Sequence, residues 1–284
     1  GYHEIVLTGV HLGCYGTDLA PPSSLAELFA RIDALNPSTR VRLSSIEPHE
    51  LTDEIIKRVA GSARFCRHFH IPLQSGDDRI LQKMRRPYSG TFFRELVLRI
   101  HARIPDAAIG VDTLIGFPGE TETAFENTYA LIKELPVAYL HVFPYSARAG
   151  TPAAEYAHQA PPPVIKARCQ RMRRLGKAKR IQFYQNFLGK ELEVLIEGKK
   201  DGTTGLSKGI SSNYIPVLIK AEDDLTNRLI VARVETLINE STLLGRFCRK
   251  VKPGETGTPE PIVEAAKTAR PPAKRPDGKG SDEC

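Results

Sequence analysis

Five short stretches of the chain end an apolar run on residues able to hold a polar ligand. They are Thr8-Gly9-Val10-His11, Ser44-Ser45-Ile46-Glu47-Pro48, Pro72-Leu73-Gln74-Ser75-Gly76, Gly116-Phe117-Pro118-Gly119-Glu120 and Phe143-Pro144-Tyr145-Ser146. Hydroxyl, amide and carboxylate groups stand there beside Gly and Pro, which turn the chain sharply and let a ligand approach the main chain. One polar strand end means little. Five converging on one rim make a pocket suited to a polar ligand with a ribose or amino-acid portion, and leave the reaction open.

The flanking sequence supplies the elements to bring them together. Ile109 to Ile115 is a mostly apolar, β-branched run short enough for a buried strand. It closes on Gly116, Pro118 and Gly119, and the helix pattern after it carries Thr123 and Glu126 at capping-box spacing, with Pro136 beyond its end. Such a strand, turn and helix form the C-terminal rim of a βα unit, where α/β proteins bind small molecules; an ordinary structural turn is the alternative. Strands are expected over 4–8, 41–46, 68–72, 108–115 and 138–143. Helices are expected over 24–35, 52–60, 77–84 continuing through 91–103, and 123–135, with Pro37, Pro105 and Pro136 at the joins. Repeated βα alternation implies right-handed crossovers and a parallel sheet, an α/β fold of open or partial (βα) barrel type, with a flat doubly wound sheet as the other solution.

From Pro161 the character changes. Residues 164–187 read as one basic helix, and β runs at 191–197, 215–219 and 229–237, separated by polar turns, fit a small antiparallel barrel of OB-like kind. Beyond Val251, Pro, Gly, Lys and Glu dominate, the composition of a disordered tail. The expected division is a partial barrel at 1–160, a basic helical linker at 161–188, a β-barrel at 189–250 and a tail at 251–284.

The 284 residues carry a formal charge of +7, and no Asp or Glu falls between Ala157 and Lys190, a run that holds most of the helix's Lys and Arg. A single-sign run points to a polyanion, against the alternative of a solvated helix face. No apolar run reaches the roughly 18 residues of a membrane span, no secretory leader opens the chain, and the cytoplasm is the expected location. The five cysteines, Cys14, Cys66, Cys169, Cys248 and Cys284, show no metal-ligand spacing, so no metal ligand is expected among them. The chain runs from Gly1 at once into a core strand, as a piece of something longer would.

Read together, Glu4–Gly13, Arg42–Pro48, His68–Gly76, Met84–Tyr88, Ile109–Thr121 and Tyr139–Pro152 resemble the radical S-adenosylmethionine tRNA methylthiotransferases, in order and over about residues 1–250. The wording Thr-Gly-Val-His, Ser-Ser-Ile-Glu-Pro and His-Phe-His-Ile-Pro-Leu-Gln-Ser-Gly is most similar to the threonylcarbamoyladenosine branch, more than to the isopentenyladenosine or ribosomal-protein branches. The resemblance implies a radical-SAM-type barrel followed by a TRAM domain. It implies methylthiolation of adenine C2 in N6-threonylcarbamoyladenosine beside the anticodon, with cofactors carrying the chemistry. S-adenosylmethionine and two [4Fe-4S] clusters belong to the full-length enzyme, and the tRNA anticodon stem-loop is the partner. DNA and membrane are not expected, and the sulfur donor is unknown. The family's C-x3-C-x2-C motif is missing here, which makes the chain a fragment without turnover of its own. A non-catalytic RNA-binding protein that keeps the barrel as scaffold, and a barrel enzyme with an ordinary nucleotide ligand, are the competing readings.

By resemblance, the cofactor would meet Thr8, Gly9, His11, Ser45, Glu47, Gln74, Ser75, the turn Gly116-Phe117-Pro118-Gly119, and Phe143, Tyr145 and Ser146. His11 has a local loop hydrogen bond as its alternative, and Glu47 a helix cap. Glu120 reads better as a helix N-terminal carboxylate than as a catalyst. Substrate or RNA would meet Arg86, Tyr88, Arg148, Arg171, Arg174, Lys177, Arg180, Lys208 and Tyr214, with packing as the alternative for both tyrosines.

Overall fold

A computed structural model describes residues 1–35, 39–221 and 224–251. Five parallel strands form the first half: β1 (Glu4–Leu7), β2 (Arg40–Leu43), β3 (His68–Gln74), β4 (Ala108–Ile115) and β5 (Tyr139–Pro144). Between them run helices α1 (Leu25–Ala34), α2 (Asp53–Gly61), α3 (Asp78–Lys83), α4 (Gly90–Arg103) and α5 (Glu122–Glu134). Each helix starts where a short polar side chain takes up a free backbone N–H: Ser24, Thr52, Asp77, Ser89 and Thr121. The cap of α5 is thus Thr121, two residues before the Thr123 that the capping-box spacing suggests. Glu126 is taken instead by Arg171. The expected continuity of 77–84 with 91–103 also fails, because Arg85 at φ 56° and the turn to Ser89 separate α3 from α4.

β1 pairs with β2, and β3, β4 and β5 form a second parallel set. Isolated bridges, Val41–Phe65 just before β3 and Ser45–His70, join the two sets, so the sheet curves open there, as a partial barrel does. Behind it the helices bury Phe29, Ile56, Phe69, Phe93, Ile100, Phe125 and Ile132 completely. This apolar layer fixes the strands in register and leaves the concave face for polar residues.

The stretch read as a linker is structural. Helix α6 (Pro162–Gln185) lays Cys169, Met172 and Leu175 into the same core, and Gly176 sits against Leu140 of β5. A Cβ there would come within 3.1 Å of the Leu140 side chain. The end of α6 then enters a second core, where Tyr184 and Phe187 join Val194, Val217, Ile230 and Val234. That core fills a closed barrel of β6 (Glu191–Lys200), β7 (Ser207–Ser211), β8 (Pro216–Lys220), β9 (Leu229–Asn239) and β10 (Thr242–Lys250), in the order β10-β8-β7-β6-β9. Its pairings are antiparallel except that β8 and β10 run parallel, the closure of a five-stranded Greek-key barrel. Sequence patterning missed β7 and β10, Ser-Lys-Gly-Ile-Ser being short and polar and Thr-Leu-Leu-Gly-Arg-Phe-Cys-Arg-Lys basic toward its end. The expected tail, apart from Val251, and Cys284, Pro37 and Asp223 lie outside the described residues. Among the described residues no helix is long and apolar enough to cross a membrane.

The small barrel closes the lower end of the parallel sheet. Arg40, 4% exposed, reaches Glu4 at 2.6 Å, Glu193 of β6 at 3.2 Å and the Ile210 carbonyl at 2.8 Å. Arg42 binds Glu4 at 2.8 Å and donates to the carbonyls of Ser211 and Ser212. Burial alone would raise the Glu4 carboxyl, but Arg42 and Arg40 outweigh it and hold the group below its ordinary value. Tyr214, at φ 61°, lays its ring 4.4 Å from that of His68, with the Arg42 guanidinium over the Tyr214 ring at 5.1 Å.

Candidate functional site

Side chains alternate along a strand, so residues two apart share a face. On β3 that rule groups His68, His70 and Pro72, before a register shift resets the face at Gln74; on β4, Gly110, Asp112 and Leu114; on β5, Tyr139, His141 and Phe143. At the upper rim these rows open into a cleft of about 320 Å3 lined by Gln74, Met84, Arg86, Leu114, Phe117 and Tyr156, among others. Phe117 is buried and meets Tyr145 and Tyr156 edge-on, at 5.5 and 6.2 Å. The Tyr145 hydroxyl is buried with no hydrogen-bond partner among the described residues. Gln74 holds φ 65°, a left-handed conformation unusual for its residue type, of the kind that concentrates at ligand sites.

The turn after β4 is built by backbone needs. Gly116 has φ 84°, and a Cβ there would lie 2.5 Å from Ile165. Its N–H donates to the Glu120 carboxylate at 2.9 Å, and Arg168 pairs with the same oxygen at 3.0 Å. Burial pushes the Glu120 carboxyl up, against the pull of Gly116 and Arg168. Glu120 therefore fastens the turn to α6. Pro118 is buried, and Gly119 at φ 85° lies against Lys83.

The other rim residues divide. Ser45 is exposed on the concave face, 3.4 Å from His70, and Phe143 is 48% exposed there. Glu47 accepts from Arg86 at 2.7 Å and makes no cap hydrogen bond, so its alternative as a helix cap is not seen. Thr8, Gly9 and Ser146 are exposed. His11 bonds Glu50 at 3.1 Å, a partner distant in sequence and not the local loop bond of its alternative. Two residues turn away from the rim. Ser75 is 1% exposed, 3.3 Å from the Thr128 hydroxyl, and accepts from the Asp77 N–H. Tyr88 is buried and donates to the Pro72 carbonyl at 2.9 Å, so its phenol braces β3 from below the rim.

The basic helix is less free than its sequence suggests. Arg168 is buried against Glu120 and Glu122, and Arg171 pairs with Glu126 and Glu122 while stacking over Tyr129 at 4.8 Å. Lys177 pairs with Glu240 and Lys179 donates to the Leu135 carbonyl. The missing acids of the run stand on α5 and the small barrel instead, which corrects the reading of Arg171 as an RNA contact. Arg148 and Arg174 are exposed, Arg180 half-buried, and Lys208 lies 3.9 Å from Glu197. Tyr214 keeps 43% exposure, but its ring packs on His68 and within 5.8 Å of Tyr139 of the larger sheet.

Sequence reasoning passed over the middle of the concave face. His70 Nε2 lies 2.7 Å and His141 Nδ1 3.1 Å from the same Asp112 oxygen, across three adjacent strands. Each stands two residues upstream of Pro72, Leu114 or Phe143 in its own strand, and counting back in twos from those finds all three. Below them, burial and Arg42 hold His68 neutral, with its Nε2 at 2.8 Å from the Tyr139 hydroxyl.

Residues 1–132 match the family model described as the radical SAM superfamily. Just under half of the chain is therefore similar to the radical SAM superfamily. It is 36% identical over 239 residues to a threonylcarbamoyladenosine tRNA methylthiotransferase of Bacillus subtilis, covering 82% of this chain and 52% of that protein. It is 40% identical over 218 residues to the protein of that name from Rickettsia prowazekii, covering 76% of this chain and 50% of the other. To a tRNA-2-methylthio-N(6)-dimethylallyladenosine synthase of Carboxydothermus hydrogenoformans it is 35% identical over 235 residues, 82% of this chain and 53% of that one. The chain thus spans about half the length of the curated relatives it matches.

The superfamily implies S-adenosylmethionine and a [4Fe-4S] cluster. The rim suits the first: aromatic faces at Phe117 and Tyr156, an amide at Gln74, the charges of Arg86 and Glu47, and an unpartnered buried hydroxyl at Tyr145. The cluster finds no match among the described residues. Cys66 and Cys169 are buried, Cys14 and Cys248 are exposed, and no three cysteines come together. Burial pushes the Cys66 thiol up to about 11, the reverse of what a thiolate ligand needs.

Proposed function

We propose that this chain carries the nucleotide-binding barrel and the RNA-binding module of a cytoplasmic tRNA methylthiotransferase that modifies N6-threonylcarbamoyladenosine beside the anticodon. The observation that carries the reading is the rim cleft, with the unpartnered Tyr145 hydroxyl beside it, at the carboxyl ends of the parallel strands. The relatives' names supply the reaction class, and the 40% identity to the Rickettsia protein favours the threonylcarbamoyl branch. Bound S-adenosylmethionine would supply the methyl group. Phe117 and Tyr156 present ring faces to its adenine, Gln74 and the Tyr145 hydroxyl bind its polar atoms, and Arg86 faces its carboxylate. Thr8, Gly9, His11, Ser146 and Phe143 border the opening. Cluster thiolates would come from outside the described residues, so no step through a cluster is assigned to this chain. For tRNA, the exposed cations Arg148 and Arg174 and the loops around Lys208 offer phosphate contacts, giving salt-dependent, weakly sequence-specific affinity.

Deleting the gene should remove 2-methylthio-N6-threonylcarbamoyladenosine from digested tRNA read by mass spectrometry. Loss of the dimethylallyl counterpart instead would move the chain to the other branch, and no change in either nucleoside defeats the enzyme reading. The scatter of the four cysteines among the described residues favours one second reading, an RNA-binding protein that uses the barrel as scaffold. Calorimetry separates it: tighter heat-releasing binding of S-adenosylmethionine than of ATP supports the enzyme, and binding of neither supports the scaffold.

A further inference from the structure

We propose that His70, Asp112 and His141 form a binding site for a divalent transition metal on the concave face of the sheet, apart from the rim cleft. The three side chains come from β3, β4 and β5, and one ligand atom from each lies within 4.8 Å of the others. Two imidazoles and one carboxylate on a single face, with the remaining positions open, is a donor set that suits zinc or ferrous iron. Ligand atoms about 2.1 Å from a metal and adjacent to one another sit about 3 Å apart. The two N···O separations here are 2.7 and 3.1 Å, so the ion needs only a small spread of the two rings.

The surroundings point the same way. The ion pairs of Asp112 are with these two histidines, and its charge meets no lysine or arginine among the described residues. His70 is oriented through its second nitrogen, which lies 3.4 Å from the Ser45 hydroxyl, the outer contact that metal-bound imidazoles commonly keep. The backbone of Ser45 bridges directly to His70, so that partner is fixed by the sheet. The rings of His70 and His141 meet edge-on at 5.1 Å, and Tyr139 and Phe143 flank His141. Side-chain exposures of 18% for His70 and 17% for Asp112 against 49% for His141 leave one open approach, from the concave side. The strands carrying the ligands are held by a fully buried layer, which pre-sets their spacing before any ion arrives.

The test uses the full chain, free of any affinity tag and treated with chelator, titrated with Co2+ and Zn2+. One equivalent of Co2+ should bind with a ligand-field spectrum of nitrogen and oxygen donors, and Zn2+ should displace it. Asp112→Asn and His70→Ala should each weaken binding at least a hundredfold. His141→Ala, at the exposed position, should do so with an unchanged circular dichroism spectrum, which separates lost ligation from lost folding. Ser45→Ala should cost about tenfold in affinity, the usual effect of an outer contact. A thiolate charge-transfer band, binding that survives all three ligand substitutions, or no uptake at all would overturn the proposal and leave the trio as a hydrogen-bonded cluster.

Discussion

The two ends of the parallel sheet treat polar groups in opposite ways. At the lower end Arg40 and Arg42 are buried and Glu4 half-buried, yet they pair with one another and with acceptors of the small barrel. At the upper rim Tyr145 keeps a hydroxyl with nothing to bond, and Gln74 sits in a left-handed conformation. Leaving a buried hydroxyl unpaired costs about 1–3 kcal/mol, so the rim gives up stability that the lower end retains. The difference teaches where the molecule is built to hold itself and where it is built to hold something else.

The largest effect should come from the lower end. Arg40→Ala leaves Glu4 and Glu193 short of a buried partner, and urea unfolding should show a loss of about 3–5 kcal/mol. Acid should act on the same network. A carboxyl held below its ordinary value of 4.5, as Glu4 is, stabilises the fold above that pH and ceases to as the pH falls through the depressed value. Glu4→Gln should therefore flatten the acid limb of a stability–pH curve, and an unchanged limb would remove Glu4 from the account. Next, Gly116→Ala forces a Cβ into a left-handed residue 2.5 Å from Ile165, and should cost about 2 kcal/mol in thermal unfolding. Tyr145→Phe should run the other way. It should raise stability by about 1 kcal/mol while lowering S-adenosylmethionine affinity several-fold. If it destabilises instead, the contrast between the two ends is wrong. The smallest effect falls on Arg174→Ala, which should weaken RNA binding evenly across sequences and reduce the salt slope by about 1.

Much of the fold was legible because its signals are local. The apolar run before Gly116 and the prolines after the helices mark β4 and the crossovers within a residue or two. Residues that depend on partners far along the chain were not legible. Nothing near Arg171 in sequence announces Glu126, and nothing near Arg40 announces Glu193, so α6 read as a charged linker and the lower interface was invisible. Ser75 read as a rim residue because it follows a strand end, and Tyr88 as a substrate contact through the resemblance of Met84–Tyr88, yet both side chains face the packing. Strand alternation, counted backwards, would have found His70, Asp112 and His141.

The contacts of Arg40 and Arg42 with the small barrel end largely on main-chain oxygens, those of Ile210, Ser211, Ser212 and Glu193. A carbonyl is present whatever side chain its residue bears. The junction can therefore tolerate drift in the β7–β8 turn so long as the loop keeps its path, while the two guanidinium groups that read it cannot be exchanged.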